Sequence, residues 1–240
     1  MLKFFQFIYT AWALIVFHVF MIILFPVFII PSLISKKGTW ISFKAIRLWS
    51  FLFSFFNRII YKVEGKSHFK KGQNYVIISN HTSFLDTPAI PQAIDAPFKA
   101  LAKKELTKIP VFGFLLKMIT EVVDRSNPAS RQKSKNRLNE VLKNENSILV
   151  FPEGTMNRTD KPLQNFYDGA FRIAIDAQAP ILPVVIKGAA KLMKPSSFVM
   201  RPGKIHVKVL SAVSTEGLSQ KDLPELKSKI VDQMQKEILN

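Results

Sequence analysis

The chain has 240 residues, a formal net charge of +17 and no cysteine. The absence of cysteine excludes disulfide bonds, thiolate metal ligands and a thiol nucleophile. A strongly basic chain binds nucleic acid, an anionic membrane or an acidic partner. Because residues 1–60 are apolar and basic and no nucleic-acid-binding motif is visible, we predict membrane lipids, and no nucleic acid, as the partner.

The first predicted element is an apolar segment over residues 4–34, longer than the roughly 20 residues that span a bilayer. It is too long for a secretory signal peptide, and no small-x-small cleavage site follows it. Pro26 and Pro31 lie in its last third, where we expect them to kink or break the helix. The segment either spans the membrane or enters it and returns, and the two prolines favour the second arrangement.

A second helix is predicted over residues 40–60. Its polar side chains lie three or four residues apart and form a narrow stripe, made of Lys44, Arg47, Ser50, Ser54, Asn57 and Arg58. Large aromatic side chains cover most of the remaining surface. Such a helix packs on a domain core or lies in a membrane interface, and its aromatic and basic composition favours the interface. We therefore assign residues 1–60 to a two-helix membrane-anchoring motif and residues 61–240 to one globular domain.

The globular part alternates between strand and helix patterns. Strands are predicted over residues 61–64, 75–79, 98–102, 121–124, 148–151, 181–187 and 204–210, and helices over residues 129–143, 169–177 and 223–239. This alternation predicts an α/β fold with a mixed, largely parallel sheet flanked by helices. Sites in such sheets lie beyond the carboxyl ends of strands. His81, Arg125 and Glu153 each follow a predicted strand, so we expect them to converge on one crevice.

His81 and Asp86 lie five positions apart, directly after the second of these strands. Neither a continuous helix nor a strand brings two side chains at that spacing together. A strand that turns into a helix does, and Ser83 followed three residues later by Asp86 has the capping-box pattern. In such a turn the imidazole can accept a proton from a hydroxyl while the carboxylate fixes its tautomer. The alternative is that Asp86 only caps a helix and His81 is an ordinary loop residue.

Further short motifs follow in a fixed order. Together they are Asn80-His81 with Asp86, Lys103-Lys104-Glu105-Leu106 with Ile109-Pro110-Val111-Phe112-Gly113, Val123-Asp124-Arg125, Phe151-Pro152-Glu153-Gly154-Thr155, and Ile181-Leu182-Pro183-Val184. This order and spacing resembles the glycerolipid acyltransferase family over residues 60–190. Among its members, the pattern is most similar to bacterial acyltransferases that act on 1-acylglycerol 3-phosphate.

The resemblance implies that His81 and Asp86 are catalytic. It implies substrate binding by Lys104, Arg125, Glu153, Gly154, Thr155 and Arg158. The family often has arginine directly after the threonine, where this chain has Met156, so we expect Arg158 to supply that phosphate contact. No cofactor is implied. We also expect no metal site, because His81 and Asp86 lack the third protein ligand that catalytic zinc usually has.

The resemblance also implies a reaction. A fatty acyl group would move from acyl-CoA or acyl-acyl-carrier-protein to the free hydroxyl of 1-acylglycerol 3-phosphate, giving phosphatidic acid in phospholipid synthesis. Glycerol 3-phosphate or another lysolipid is an alternative acceptor. A non-catalytic lipid-binding protein is also an alternative, but the His81 and Asp86 pair argues against it, because a binding module needs no general base. Because Lys36 and Lys37 outnumber Lys3, we predict a catalytic domain on the cytoplasmic face of the cytoplasmic (inner) membrane.

Overall fold

The computed structural model describes residues 2–35, 38–108, 113, 116, 120–124 and 126–240. It begins with two helices, α1 (Leu2–Ile34) and α2 (Gly38–Phe56). Pro26 and Pro31 both lie inside α1, which continues past them. The prediction that these prolines break the helix is therefore wrong. Each proline removes one backbone donor, and the remaining hydrogen bonds of a 33-residue helix, supported by its packing against α2, maintain it.

The two N-terminal helices pack against each other in antiparallel fashion. Near the start of α1, the indole N–H of Trp12 donates to the carbonyl of Phe56 at 3.2 Å. Further along, the indole N–H of Trp49 donates to the carbonyl of Phe17 at 3.3 Å. The start of α1 and the end of α2 therefore lie at the same end of the pair. This arrangement fits a segment that enters a membrane and returns, but that topology stays a prediction.

Helix α2 lies between α1 and a third helix, α3 (Asp86–Ala93). The hydroxyl of Ser50 donates to the carbonyl of Pro88 at 2.6 Å, and Arg47 forms an ion pair with Asp95. At these two positions the polar stripe of α2 faces the domain, as in the alternative of a helix packed on the domain core, and the membrane-interface assignment stays a prediction. The outer surface of α2 is instead apolar and includes the exposed side chains of Trp40, Ile41, Leu48, Phe51, Phe55 and Phe56.

A seven-stranded sheet forms the centre of the domain. Its strands are β1 (Ile59–Glu64), β2 (Val76–Ser79), β3 (Phe98–Lys103), β4 (Thr120–Val123), β5 (Ser147–Val150), β6 (Ile181–Lys187) and β7 (Gly203–Val209). Their order is β1-β7-β6-β2-β5-β3-β4, and every neighbouring pair is parallel except β6 and β7. This topology confirms the predicted mixed, largely parallel sheet.

Helices cover both faces of the sheet. The later ones are α4 (Pro128–Asn144), α5 (Gly169–Ala177), α6 (Ala189–Leu192) and α7 (Leu223–Leu239). Side chains of β2 alternate between the two layers. Ile77 packs with α1, α2 and α3, whereas Val76 and Ile78 pack with α4, α5 and α7. The N-terminal pair therefore lies on one face of the sheet, and the carboxyl end of β2 emerges between the two helical layers.

Candidate active site

Asn80 ends strand β2 and holds the turn that follows. Its side-chain amide donates to the carbonyl of Ile186 at 2.8 Å and accepts from the N–H of Ile186 at 2.8 Å. The side chain thus imitates a backbone partner for β6 at the position where the chain of β2 leaves the sheet. Because Asn80 is only 2% exposed, the start of the turn is held firmly in place.

The turn brings His81 and Asp86 together. Nδ1 of His81 lies 3.0 Å from Oδ2 of Asp86, whose side chain is fully buried. The same carboxylate oxygen accepts the backbone N–H groups of Thr82 at 2.6 Å and Ser83 at 2.8 Å. These three contacts on one oxygen hold the carboxylate in a single orientation.

The predicted capping box forms in one half only. The carboxylate of Asp86 does accept the N–H of Ser83, as in a capping box. The hydroxyl of Ser83, however, donates to the carbonyl of Met193 at 2.7 Å and accepts the N–H of Leu85 at 3.2 Å, which lies before the helix, so it caps no helical N–H. Helix α3 therefore begins at Asp86, with Leu85 as its N-cap residue. The Ser83 hydroxyl instead joins the turn to the distant loop that carries Met193. The local sequence does not reveal this contact.

The contact with Asp86 determines which nitrogen of His81 is available. A carboxylate accepts only, so Nδ1 carries the proton and Nε2 presents its lone pair. Nε2 forms no hydrogen bond with any residue that the structure describes. The ring stacks on Phe151, with ring centroids 4.2 Å apart, and its side chain is 16% exposed. This is the geometry of a general base that a substrate hydroxyl can reach.

Glu153 connects the His81 turn to the loop that follows β5. One carboxylate oxygen accepts the N–H of His81 at 2.8 Å, and the other accepts the N–H of Gln164 at 3.0 Å. Burial raises the pKa of Glu153, although these two backbone bonds oppose the shift. Both oxygens are occupied within the protein. The carboxylate therefore positions the backbone of His81, and its predicted contact with substrate stays a prediction.

Asn157 provides a second connection between the same two segments. Its backbone N–H donates to the carbonyl of His81 at 2.6 Å, and its side chain accepts the N–H of Thr159 at 2.8 Å. Arg158 follows directly, is exposed, and forms no ion pair with a described residue. Thr155 is also exposed on this loop. The sequence analysis missed Asn157, for which the only local signal is a turn-forming Asn-Arg-Thr-Asp run.

Gly154 sits between Glu153 and Thr155 in the left-handed backbone region, with φ of 75°. A non-glycine residue adopts that conformation with strain, which gives a local reason for glycine in this turn. Together Glu153, Gly154, Thr155 and Arg158 form one loop bound to the His81 turn. The structure thus brings four of the predicted substrate-binding residues next to the predicted base.

The remaining predicted phosphate ligands are Lys104, which directly follows β3, and Arg125. Nζ of Lys104 lies 3.1 Å from Oδ2 of Asp124. Hydrogen bonds from Ser126, together with the ammonium of Lys104, lower the pKa of Asp124 to about 2. Lys104 is thus already paired, two strand positions from β2, which is about 10 Å at the usual strand spacing. Arg125 lies outside the described residues.

A cavity of about 1030 Å³ lies on the other side of Phe151, between α4 and α5. Leu138 and Ile173 form part of its apolar wall, and Gly154 and Thr155 line it near the His81 turn. Phe151, on whose ring His81 stacks, also lines this cavity, which is large enough for a small organic ligand. Among the described residues, no three His, Asp or Glu side chains are grouped so that they could hold a metal ion.

Comparison with known proteins gives a family match over the part of the chain that carries this site. The model of the Acyltransferase family matches residues 60–187, which include the His81 turn, the Glu153 loop and strands β1 to β6. The chain belongs to the Acyltransferase family. A 1-acyl-sn-glycerol-3-phosphate acyltransferase of Saccharomyces cerevisiae is 34% identical over 179 residues, covering 72% of this chain and 58% of that protein. The alpha form of Homo sapiens is 30% identical over 189 residues, covering 78% of this chain and 66% of that protein.

A solved structure extends the acyltransferase comparison to the whole fold. The crystal structure of the 1-acyl-sn-glycerophosphate (LPA) acyltransferase of Thermotoga maritima has a TM-score of 0.79 and covers 99% of this chain and 96% of its own. At 23% identity this likeness concerns the fold, including the N-terminal helices. The chain spans about six-tenths of the length of the first curated acyltransferases that it matches.

Proposed function

We propose that this acyltransferase moves a fatty acyl group from a thioester donor to the free hydroxyl of 1-acylglycerol 3-phosphate, giving phosphatidic acid. The observation that carries the proposal is the contact of His81 Nδ1 with Asp86 Oδ2, which leaves Nε2 available at the end of β2. The similarity to the 1-acyl-sn-glycerol-3-phosphate acyltransferases of yeast and human supports this acceptor. Acyl-CoA and acyl-acyl-carrier-protein are both compatible donors, since the two present the same thioester.

His81 acts as general base and then as general acid. Nε2 takes the proton of the acceptor hydroxyl while the oxygen forms a bond to the thioester carbonyl carbon. The tetrahedral intermediate carries its negative charge on the former carbonyl oxygen. Its collapse breaks the carbon–sulfur bond, and the leaving thiolate takes the proton from Nε2. Asp86 stabilises the imidazolium that exists between these two proton transfers, because its buried side chain contacts Nδ1 of His81 at 3.0 Å.

Arg158 is the described residue best suited to the acceptor phosphate. It is exposed, it has no ion-pair partner among the described residues, and it follows Asn157, whose N–H is bound to His81. An arginine fork matches phosphate oxygens in two-point contacts. Lys104 can join it by exchanging Asp124 for the phosphate, and we assign Arg125 the same task from its place after β4. Glu153 and Gly154 hold the loop that presents Arg158.

The N-terminal helices attach the protein to the membrane in this proposal. Among the described residues, one helical segment, Phe4–Pro31, is long and apolar enough to cross a membrane, and 28% of it is buried within the protein. We assign residues 1–60 to the anchor and residues 61–240 to the catalytic domain. The catalytic domain would lie on the cytoplasmic face of the inner membrane, as the lysines at positions 36 and 37 predict.

The test is a transfer assay with the purified full chain in phospholipid nanodiscs. Acyl-CoA and acyl-acyl-carrier-protein are each supplied with 1-acylglycerol 3-phosphate, glycerol 3-phosphate or another lysolipid, and the product is identified by mass. We expect phosphatidic acid with wild type and a loss of about 10²- to 10⁴-fold in His81→Ala. The control is His206→Ala, an exposed histidine of β7. Full turnover in His81→Ala would refute the mechanism. If wild type shows no turnover with any acceptor, the alternative of a non-catalytic lipid-binding protein is supported.

A further inference from the structure

The loop of residues 194–199 forms a small closed hairpin with an apolar tip. Met193 and Met200 make an antiparallel bridge at its base, and both side chains are buried. The N–H of Ser197 donates to the carbonyl of Lys194 at 3.1 Å and closes the turn inside it. At the tip, Phe198 is 69% exposed. An ordered loop that presents a large aromatic ring to its surroundings marks a contact surface.

Hydrogen bonds attach this hairpin to the active site on one side and to the N-terminal anchor on the other. The hydroxyl of Ser83, in the His81 turn, donates to the carbonyl of Met193 at 2.7 Å. The N–H of Met200 donates to the hydroxyl of Thr10 in α1 at 3.0 Å. The hairpin therefore cannot move far without moving both the catalytic turn and α1.

An aromatic pair joins the hairpin tip to the catalytic turn. Phe198 stacks on Phe84 with ring centroids 5.9 Å apart and an interplanar angle of 15°. Phe84 is three residues from His81 and is itself 41% exposed, and Val199 beside the pair is 42% exposed. These three exposed side chains, which we name the apolar rim, lie on the turn that carries His81 and on the hairpin that is bound to it.

The surroundings of the apolar rim indicate what covers it. The anchor helix that Met200 contacts carries exposed apolar side chains in its first turns, including Phe5, Phe7 and Trp12, so the rim is attached to an apolar surface that we already assign to lipid. In addition, residues 177–215 contain six Lys or Arg and no Asp or Glu. Of these, Lys194 and Arg201 are exposed at either end of the hairpin. Apolar tips flanked by cations fit the hydrocarbon boundary and headgroups of an anionic bilayer.

We infer that the apolar rim of Phe84, Phe198 and Val199 inserts into the surface of an anionic lipid bilayer and holds the His81 turn at the membrane. This inference rests on the proposed membrane attachment of α1 and adds a second, independent contact made by the catalytic domain itself. The acceptor would then reach Nε2 of His81 from the bilayer, because Phe84 belongs to the same turn as the base.

The experiment places a fluorophore at single introduced cysteines, which the native chain permits since it has none. Phe198→Cys tests the rim. Leu239→Cys, on α7, is the matched control because Leu239 is 68% exposed, and Ile23→Cys reports on α1. Each full-length variant is labelled with a nitrobenzoxadiazole dye and reconstituted in nanodiscs that contain phosphatidylglycerol. Quenching is then measured with nitroxide-bearing phospholipid and, separately, with aqueous iodide.

We expect several-fold stronger quenching by nitroxide lipid at position 198 than at position 239, with the reverse order for iodide. If position 23 is quenched by lipid but position 198 behaves like position 239, the rim inference is wrong and the anchor stands. If neither 23 nor 198 is quenched by lipid, the membrane attachment itself fails. Shielding of position 198 from both quenchers indicates a second protein copy, and lipid quenching only after lysophosphatidate is added indicates a substrate clamp. Either result overturns the inference.

Discussion

Replacement of Asp86 by asparagine separates the two tasks of this carboxylate. Oδ2 of Asp86 accepts three donors, namely Nδ1 of His81 and the backbone N–H groups of Thr82 and Ser83. In Asp86→Asn, the two backbone donors require an oxygen at that position, so the amide NH₂ takes the place of Oδ1, which has no partner. The His81 tautomer is therefore retained, and only the charge is lost.

The size of the effect follows from that geometry. A hydrogen bond to a charged group contributes about 1.5 to 3 kcal/mol and a neutral one about 0.5 to 1.5 kcal/mol. Losing the difference, about 1 to 2 kcal/mol, from the imidazolium-like transition state lowers kcat about 5- to 30-fold. Asp86→Ala also removes the acceptor that fixes the tautomer, so we expect that variant to lose about as much as His81→Ala, up to roughly 10⁴-fold.

The assay is release of free thiol from acyl-CoA in the presence of lysophosphatidate, detected with a thiol reagent. The enzyme gives no background in this assay, because it contains no cysteine. The matched control is Asp222→Asn, since Oδ2 of Asp222 accepts the N–H and hydroxyl of Ser219 in another turn. Wild-type kcat in Asp86→Asn would refute the role of the charge. A loss equal to that of Asp86→Ala would refute the orientation inferred for the amide.

Three further variants test other parts of the site. In steady-state kinetics, Arg158→Ala should raise KM for the phosphorylated acceptor at least several-fold while KM for the donor stays constant. Arg172→Ala is the control. An effect on KM for the donor alone would assign Arg158 to donor binding. Asn80→Ala leaves two buried backbone groups of β6 without partners, so unfolding in denaturant should show a loss of about 2 to 5 kcal/mol; an unchanged midpoint would contradict this. Burial raises the pKa of Glu153 above its ordinary value of 4.5, so protonation of Glu153 stabilises the folded state at low pH, and this contribution disappears as pH rises through the raised pKa. Thermal melts from pH 4 to 7 should therefore show a smaller pH dependence in Glu153→Gln than in wild type. Identical pH profiles of the two proteins would refute this.

Local sequence was sufficient to predict the contact between His81 and Asp86. A buried strand, a five-residue spacing and a capping pattern together required a turn in which His81 meets Asp86, and the structure has that turn. The same local reasoning predicted the alternation of strands and helices and the apolar first helix, because hydrophobic periodicity reports which faces are buried. The capping pattern also predicted a helix after this turn, and α3 begins there, although its N-cap residue is Leu85 and not Ser83. The short helix α6 was not predicted, because it is too brief for periodicity to reveal.

The sequence by itself therefore determined the class of fold and the contact of His81 with Asp86, since each depends on neighbours within a few residues. Only the tertiary structure decided what the other polar groups do. Glu153 lies 72 positions from His81 yet binds its N–H, and Ser50 of α2, which the pattern placed at a membrane interface, binds the carbonyl of Pro88. The physical reason is that a polar side chain takes whichever donor or acceptor the packed chain brings within about 3 Å, and that partner is set by the register of distant segments.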